Sequence, residues 1–124
     1  MRQIKFSAQD IASNKWLYGD LRHHKNDVCI FEQGGTKGEQ VKRDTVGQFT
    51  GLRDINGKDI YEGDILDVNY ADEESYLEVR FVRGVFAFLW NGDLDDEFPC
   101  NAPTHEWAKV IGNIYDNPEL IKRH

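Results

Sequence analysis

The feature that most limits what this chain can form is its alternation of apolar and polar side chains, interrupted by glycines. Eleven glycines punctuate 124 residues, and only three prolines occur. Between glycines the apolar residues tend to recur at every second position, the period of a strand with one buried face. In RQIKFSA, Ile4, Phe6 and Ala8 alternate with Gln3, Lys5 and Ser7. After a polar turn comes KWLYGDL, which predicts a neighbouring strand with Trp16 and Tyr18 on one face. DVCIFEQ predicts a third strand with Cys29 buried in it, and GGTKG (34–38) a loop tip. In YEGDILDVNY, Ile65 and Asp67 face opposite Leu66 and Val68. Tyr76–Arg83 and Val85–Trp90 flank Arg83–Gly84 and predict a central hairpin, with Leu77, Val79, Phe81 and Val85 on its buried face. EWAKVIGNIY is the last strand, with Gly112 as a bulge. Asn117, Pro118 and Glu119 supply a cap, a first-turn proline and a first-turn acid for one short helical turn.

The fold class expected is therefore all-β. Short strands in a small domain must deal with exposed edges, and curling is the economical way to do so. The expectation is a small, strongly bent barrel. It is SH3-like in the second half, where Tyr61–Tyr115 holds about four strands, with additional N-terminal strands and a short C-terminal helical turn. A single domain spans 1–124, its N-terminal strands and loops in 1–58 and its barrel-like part in 59–124.

Apolar residues at 40% and aromatics at 12% suffice for one core and argue against disorder. No apolar run approaches the roughly 20 residues of a membrane span, and MRQIKFSAQD lacks an apolar signal region. No membrane contact is expected. Charge is distributed unevenly. Residues 1–58 carry ten Lys and Arg against seven Asp and Glu, whereas residues 59–124 carry five against fifteen. An acidic half disfavours phosphate backbones. A basic groove remains open to the first half, from Lys37, Lys42, Arg43, Arg53 and Lys58. Two cysteines are too few and too distant for a disulfide framework or a cysteine zinc site. Cys100 sits in an acidic loop, where its thiol is a poor nucleophile.

Three segments together resemble the YopX family of phage- and prophage-encoded proteins. They are IKFSAQD followed by KWLYGDL, VGQFTGLRDINGKDIYEGDIL (46–66), and VIGNIYDNPELI (110–121). The resemblance spans nearly the whole chain. It departs at Ser7 and Gln9, where the family carries Arg and Trp. It implies a β-rich fold, a phage or prophage origin and residence in the cytoplasm of a bacterial host, and it implies no reaction. The motif residues have structural readings of their own. Gly51 permits positive φ, Asn56–Gly57 predicts a type I′ turn, and Gly63 redirects the chain. Asp64 accepts backbone N–H bonds at that corner. Gly112, Asn113 and Pro118 shape the C-terminal end.

Three sets of side chains are of the types that carry chemistry. Acids recur without any Lys or Arg from 59 to 79: Asp59, Glu62, Asp64, Asp67, Asp72, Glu73, Glu74 and Glu78. A second run, Asp93, Asp95, Asp96 and Glu97, is a weak candidate for Mg²⁺ or Ca²⁺ because it lacks the glycine and terminal spacing of a calcium loop. The histidines His23, His24, His105 and His124 show no chelating or catalytic spacing. Stacking on aromatics beside a basic groove would suit single-stranded nucleic acid. No catalytic residue, cofactor site or cofactor is expected. The first reading is a non-enzymatic module that binds a macromolecule, a protein before a nucleic acid. The alternatives are a metal-assisted hydrolase of phosphate esters, a weak single-strand binder, and self-association through strand edges.

Overall fold

The computed structural model describes residues 3–32, 35, 37–68, 76–99 and 103–121. It is all-β and antiparallel, with two compact units, residues 1–51 and 52–124.

The first unit holds β1 (Phe6–Gln9), β2 (Trp16–His24), β3 (Asp27–Phe31), β4 (Gly38–Gln40) and most of β5 (Gly47–Arg53). Hydrogen bonding orders them β4-β3-β2-β1-β5. Register places Ala8 opposite Leu17 and Leu21 opposite Ile30, so alternation along three strands converges on one apolar face. Ala8, Val28, Ile30 and Val41 are buried there, with Phe6, Leu17, Leu21 and Val46 packed around them. A single bridge, Asp10 to Val41, brings the chain beyond β4 back to the end of β1. A 3₁₀ turn, Arg43–Thr45, follows; the buried Thr45 hydroxyl accepts the Gln9 N–H at 2.9 Å and donates to the Lys42 carbonyl at 2.7 Å.

The second unit begins within β5. It continues with β6 (Asp59–Tyr61), β7 (Asp64–Val68), β8 (Tyr76–Val82), β9 (Val85–Trp90), β10 (Glu97–Pro99) and β11 (Ala108–Asn113), and ends in a 3₁₀ turn at Pro118–Ile121. Its five-stranded sheet has the order β10-β9-β8-β7-β11. One face carries Leu66, Val68, Leu77, Val79 and Phe88, and Ile60 and Ala108 complete this core. The Phe88 ring meets Phe98 and Trp107 at centroid distances of 5.4 and 5.7 Å.

Several expectations change here. The SH3-like barrel does not close; the sheet stays open because its edges are otherwise engaged. β10 is three residues long and ends at Pro99, which has no N–H to offer. On β11 the Val110 N–H donates to the Asp54 carboxylate, and the Ala108 carbonyl accepts from the Ile55 N–H. Ile65 is fully buried although it faces away from Leu66, because Gly92 and Ile121 lie on the face it shares with Glu78 and Leu89. Phe81 is 49% exposed instead of buried, since it lies at the hairpin tip beyond the reach of the core, and Val85 is 56% exposed because it pairs with Val82 and so faces away from Val79 and Phe81. Ile4 is exposed ahead of β1, and Cys29 is half-buried. Gly34 and Thr36 of the expected loop tip lie outside the described residues, while Gly38 opens β4.

Candidate functional site

The motif at 46–66 folds into a corner organised by a carboxylate. Asp54 is 2% exposed. One of its oxygens accepts the N–H groups of Asn56 and Lys58, both at 2.9 Å, and the other accepts the N–H of Val110 at 2.9 Å. The Asp54 N–H in turn donates to the Lys58 carbonyl, and the Gly57 N–H to the Asp54 carbonyl. Gly57 takes φ +79°, but Asn56 does not adopt positive φ. The expected type I′ turn is therefore replaced by an ordinary turn through Ile55 and Asn56, closed by a left-handed glycine. A turn with positive φ at both central residues occurs instead at Arg83 (+49°) and Gly84 (+84°).

Burial opposes ionisation of Asp54, but the donors from Val110, Lys58 and Asn56 outweigh it and hold its pKa below the usual carboxylate value; the Lys58 charge adds to this. Asp64 lies on the other side of that balance. It accepts one backbone N–H, from Tyr61 at 2.8 Å. Burial pushes its pKa up to about 7, against the Tyr61 bond and the Lys58 charge and with the help of Asp54. Gly51 and Gly63 take φ +88° and +95°, as the redirected chain requires.

The C-terminal motif is as fully engaged. Asn113 Oδ1 accepts the N–H groups of Tyr115 and Asp116 at 3.0 and 2.9 Å. The pairing shifts register between Val110 and Gly112, the predicted bulge. Asn117 Oδ1 accepts the Asn113 N–H, and a Cβ at Gly112 would sit 2.3 Å from that oxygen. Pro118 opens the terminal 3₁₀ turn. Gly112→Ala is expected to cost about 1–3 kcal/mol by displacing Asn117. Thermal denaturation checks this, and Asn117→Ala should cost little more once that alanine is present.

The YopX protein family model matches residues 4–122. The chain belongs to the YopX family. Protein EF1440 from Enterococcus faecalis has a similar crystal structure, with TM-score 0.60 and 25% identity over 98% of this chain and 100% of that one. Protein yopX from Bacillus subtilis also shares the fold, with TM-score 0.60 and 24% identity over 100% and 99% of the two chains. No curated protein matches significantly.

The remaining candidates are spread over this YopX fold. Asp93 accepts the Asp95 N–H, the Asp96 carbonyl accepts the Trp90 N–H, and Glu97 pairs with Arg83. Among the described residues no three His, Cys, Asp or Glu side chains are grouped to hold a metal ion. Asp59 pairs with Arg53, and Asp67 is exposed. Asp72, Glu73, Glu74, Cys100 and His124 lie outside the described residues. His23, His24 and His105 are exposed. Of the basic groove, Lys42 reaches Gln9 and Asn14, and Arg43 donates to the Asn26 carbonyl.

Sequence reasoning missed the role of Asp54, and it offered Glu78 only as one acid of the 59–79 run, without its burial. Asp54 was hidden as one more turn residue, although Asp-x-Asn-Gly-Lys is the pattern of a carboxylate folding back on its own turn. Glu78 is fully buried on β8, with one oxygen accepting from Arg80 Nε at 2.6 Å and the other unpartnered. Burial raises its pKa, against the Arg80 bond and charge. A glutamate within an alternating strand gives no sign that its own face will be covered.

Proposed function

We infer that this YopX protein is a non-enzymatic interaction module, of phage or prophage origin and acting in a bacterial cytoplasm, whose second unit docks a protein partner. The observation that carries this reading is the β8–β9 hairpin tip. Phe81 and Val85 stand exposed on its two faces, and Phe86 braces Phe81 edge-on at 5.1 Å. The tight Arg83–Gly84 turn fixes the tip, and Glu97 holds the Arg83 guanidinium. A pre-formed apolar projection costs little ordering entropy on binding. Its unit carries seven Lys and Arg against sixteen Asp and Glu. The matching surface is an apolar cleft with a basic rim, and binding should weaken with salt.

The test is affinity capture from bacterial lysate with the wild type beside the double variant Phe81→Glu, Val85→Glu. A protein held by the first and lost by the second, with a native-like spectrum for both, is the expected result. Capture that survives the double substitution would sink the reading. Metal-assisted hydrolysis ranks behind it, because Asp64 and Asp67 are three apart on β7 and so face opposite sides of the strand.

A further inference from the structure

The first unit holds a cleft of about 510 Å³, a volume within the range of small-molecule sites. Leu17 of β2 and Ile30 of β3 form its floor. Antiparallel register sets Glu39 of β4 directly opposite Ile30. Opposed residues share a face, so this carboxylate stands on the apolar side of the sheet. One wall is the turn between β1 and β2. There the Ile11 N–H donates to the Gln40 carbonyl at 3.1 Å and anchors the turn against the end of β4. The other wall is the chain just after β3, where the Gly35 N–H donates to the Glu32 carbonyl at 2.8 Å. Each wall carries both signs of charge: Asp10 and Lys15 on the first, Glu32 and Lys37 on the second. Asp10 is already engaged, since it accepts from Ser13 Oγ at 2.6 Å and from the Ala12 N–H at 3.4 Å. The other charges differ. Lys15, Lys37, Glu32 and Glu39 line one cleft and are exposed, yet among the described residues none of these four side chains makes an ion pair or a hydrogen bond.

We propose that this cleft binds a small zwitterion with an apolar side chain: a free amino acid, or a short peptide with both termini charged. Two ammonium groups and two carboxylates stand unpaired around it, so their charges balance. A simple anion or a simple cation therefore meets as much repulsion as attraction. A ligand with an ammonium at one end and a carboxylate at the other can set each beside its opposite. Its side chain would rest on Leu17, which is half-buried and so still offers apolar surface, with the fully buried Ile30 behind it. The backbone bonds that fix both walls are already made, so little ordering is needed on binding. The site does not depend on protein docking by the β8–β9 tip, and the two readings stand or fall separately.

The experiment is an NMR titration of the full chain, following backbone amide shifts. Leucylalanine, leucine and N-acetyl-leucylalanine amide are each raised to about 20 mM. Leucylalanine should shift the amides of Leu17, Ile30 and Glu39 and saturate with a dissociation constant on the order of 1 mM, as suits a ligand of about 14 non-hydrogen atoms. Capping both of its ends removes both charges and should weaken binding about fivefold. The double variant Lys37→Gln, Glu39→Gln should weaken leucylalanine by about as much and leave the capped peptide unaffected. Both substitutions lie on the exposed rim, and circular dichroism checks that the variant keeps its fold. Leucine bound more weakly than leucylalanine identifies a peptide as the ligand; leucine bound as tightly identifies the free amino acid. The proposal is overturned if neither zwitterion gives saturable shifts at those amides. A capped peptide that binds as tightly as leucylalanine overturns it too, as does wild-type affinity in the folded double variant.

Discussion

Replacing Asp54 by Ala is expected to destabilise the second unit by roughly 3–5 kcal/mol, although no apolar contact is removed. Three backbone N–H groups, of Asn56, Lys58 and Val110, would lose their acceptor in a buried setting. Bonds to a charged acceptor are worth more than neutral ones, and orphaned buried donors add their own penalty. The effect should also spread. Val110 belongs to β11, the edge strand, and freeing its N–H reopens an edge that Asp54 now blocks. Aggregation should rise along with the loss of stability. Asp54→Asn is the sharper tool. Its amide retains one acceptor oxygen and presents N–H₂ to the other side, so about half the effect should remain. The folded pKa of Asp54 is lowered, so its ionisation stabilises the fold in full above the unfolded value near 3.8 and less as pH falls through the folded value. The gap between wild type and Asp54→Asn should thus be widest at neutral pH and close in acid. Denaturant midpoints measured across pH check both points. A gap that does not change with pH would mean that the carboxylate acts through shape alone.

How far the fold could be read from residues follows the range of the interactions. Period-2 alternation is local, and it correctly places Leu77 and Val79 in the core and pairs β8 with β9. Alternation assigns a face but not the extent of the core on it, so Phe81 was grouped with Val79 although the core stops short of the tip. Nor does it say whether the second face is covered. Ile65 and Glu78 are buried by a segment that follows β11, far along the chain. Gly51, Gly57, Gly63 and Gly112 were legible because positive φ or a bulge is a property of the glycine itself. Asp54 was not, because its third partner lies 56 residues away. Barrel closure failed for the same reason, since what blocks β11 comes from a distant turn. On the first unit, the grouping of Tyr18 with Trp16 needed only alternation; the placing of Glu39 beside Ile30 needed the pairing of β3 with β4.

Asp64→Asn is expected to do the opposite of Asp54→Asn and stabilise the protein at neutral pH. Asp64 is largely buried and accepts a single backbone N–H, from Tyr61. Asparagine can present an oxygen to that same N–H, so the corner keeps its bond while the ionisable group is removed. Burial raises the folded pKa to about 7 against 3.8 for an exposed aspartate. The native state therefore holds a proton that the unfolded chain releases, and wild-type stability should fall as pH rises between roughly 4 and 7. Below that window both states are protonated and the residue is neutral in its effect; above it the full cost of burying the charge is present. At about 1.4 kcal/mol per unit, the cost is on the order of 2–4 kcal/mol once relaxation at the half-open corner is allowed for. Asp64→Asn should match the wild type near pH 4 and exceed it increasingly up to about pH 7. Measuring both proteins by thermal denaturation at four or so pH values separates this from any general gain. A variant that is equally stabilised at every pH would show that packing, not the buried charge, sets the energy of this corner. One that is destabilised at neutral pH would show that the ionised carboxylate itself holds the turn.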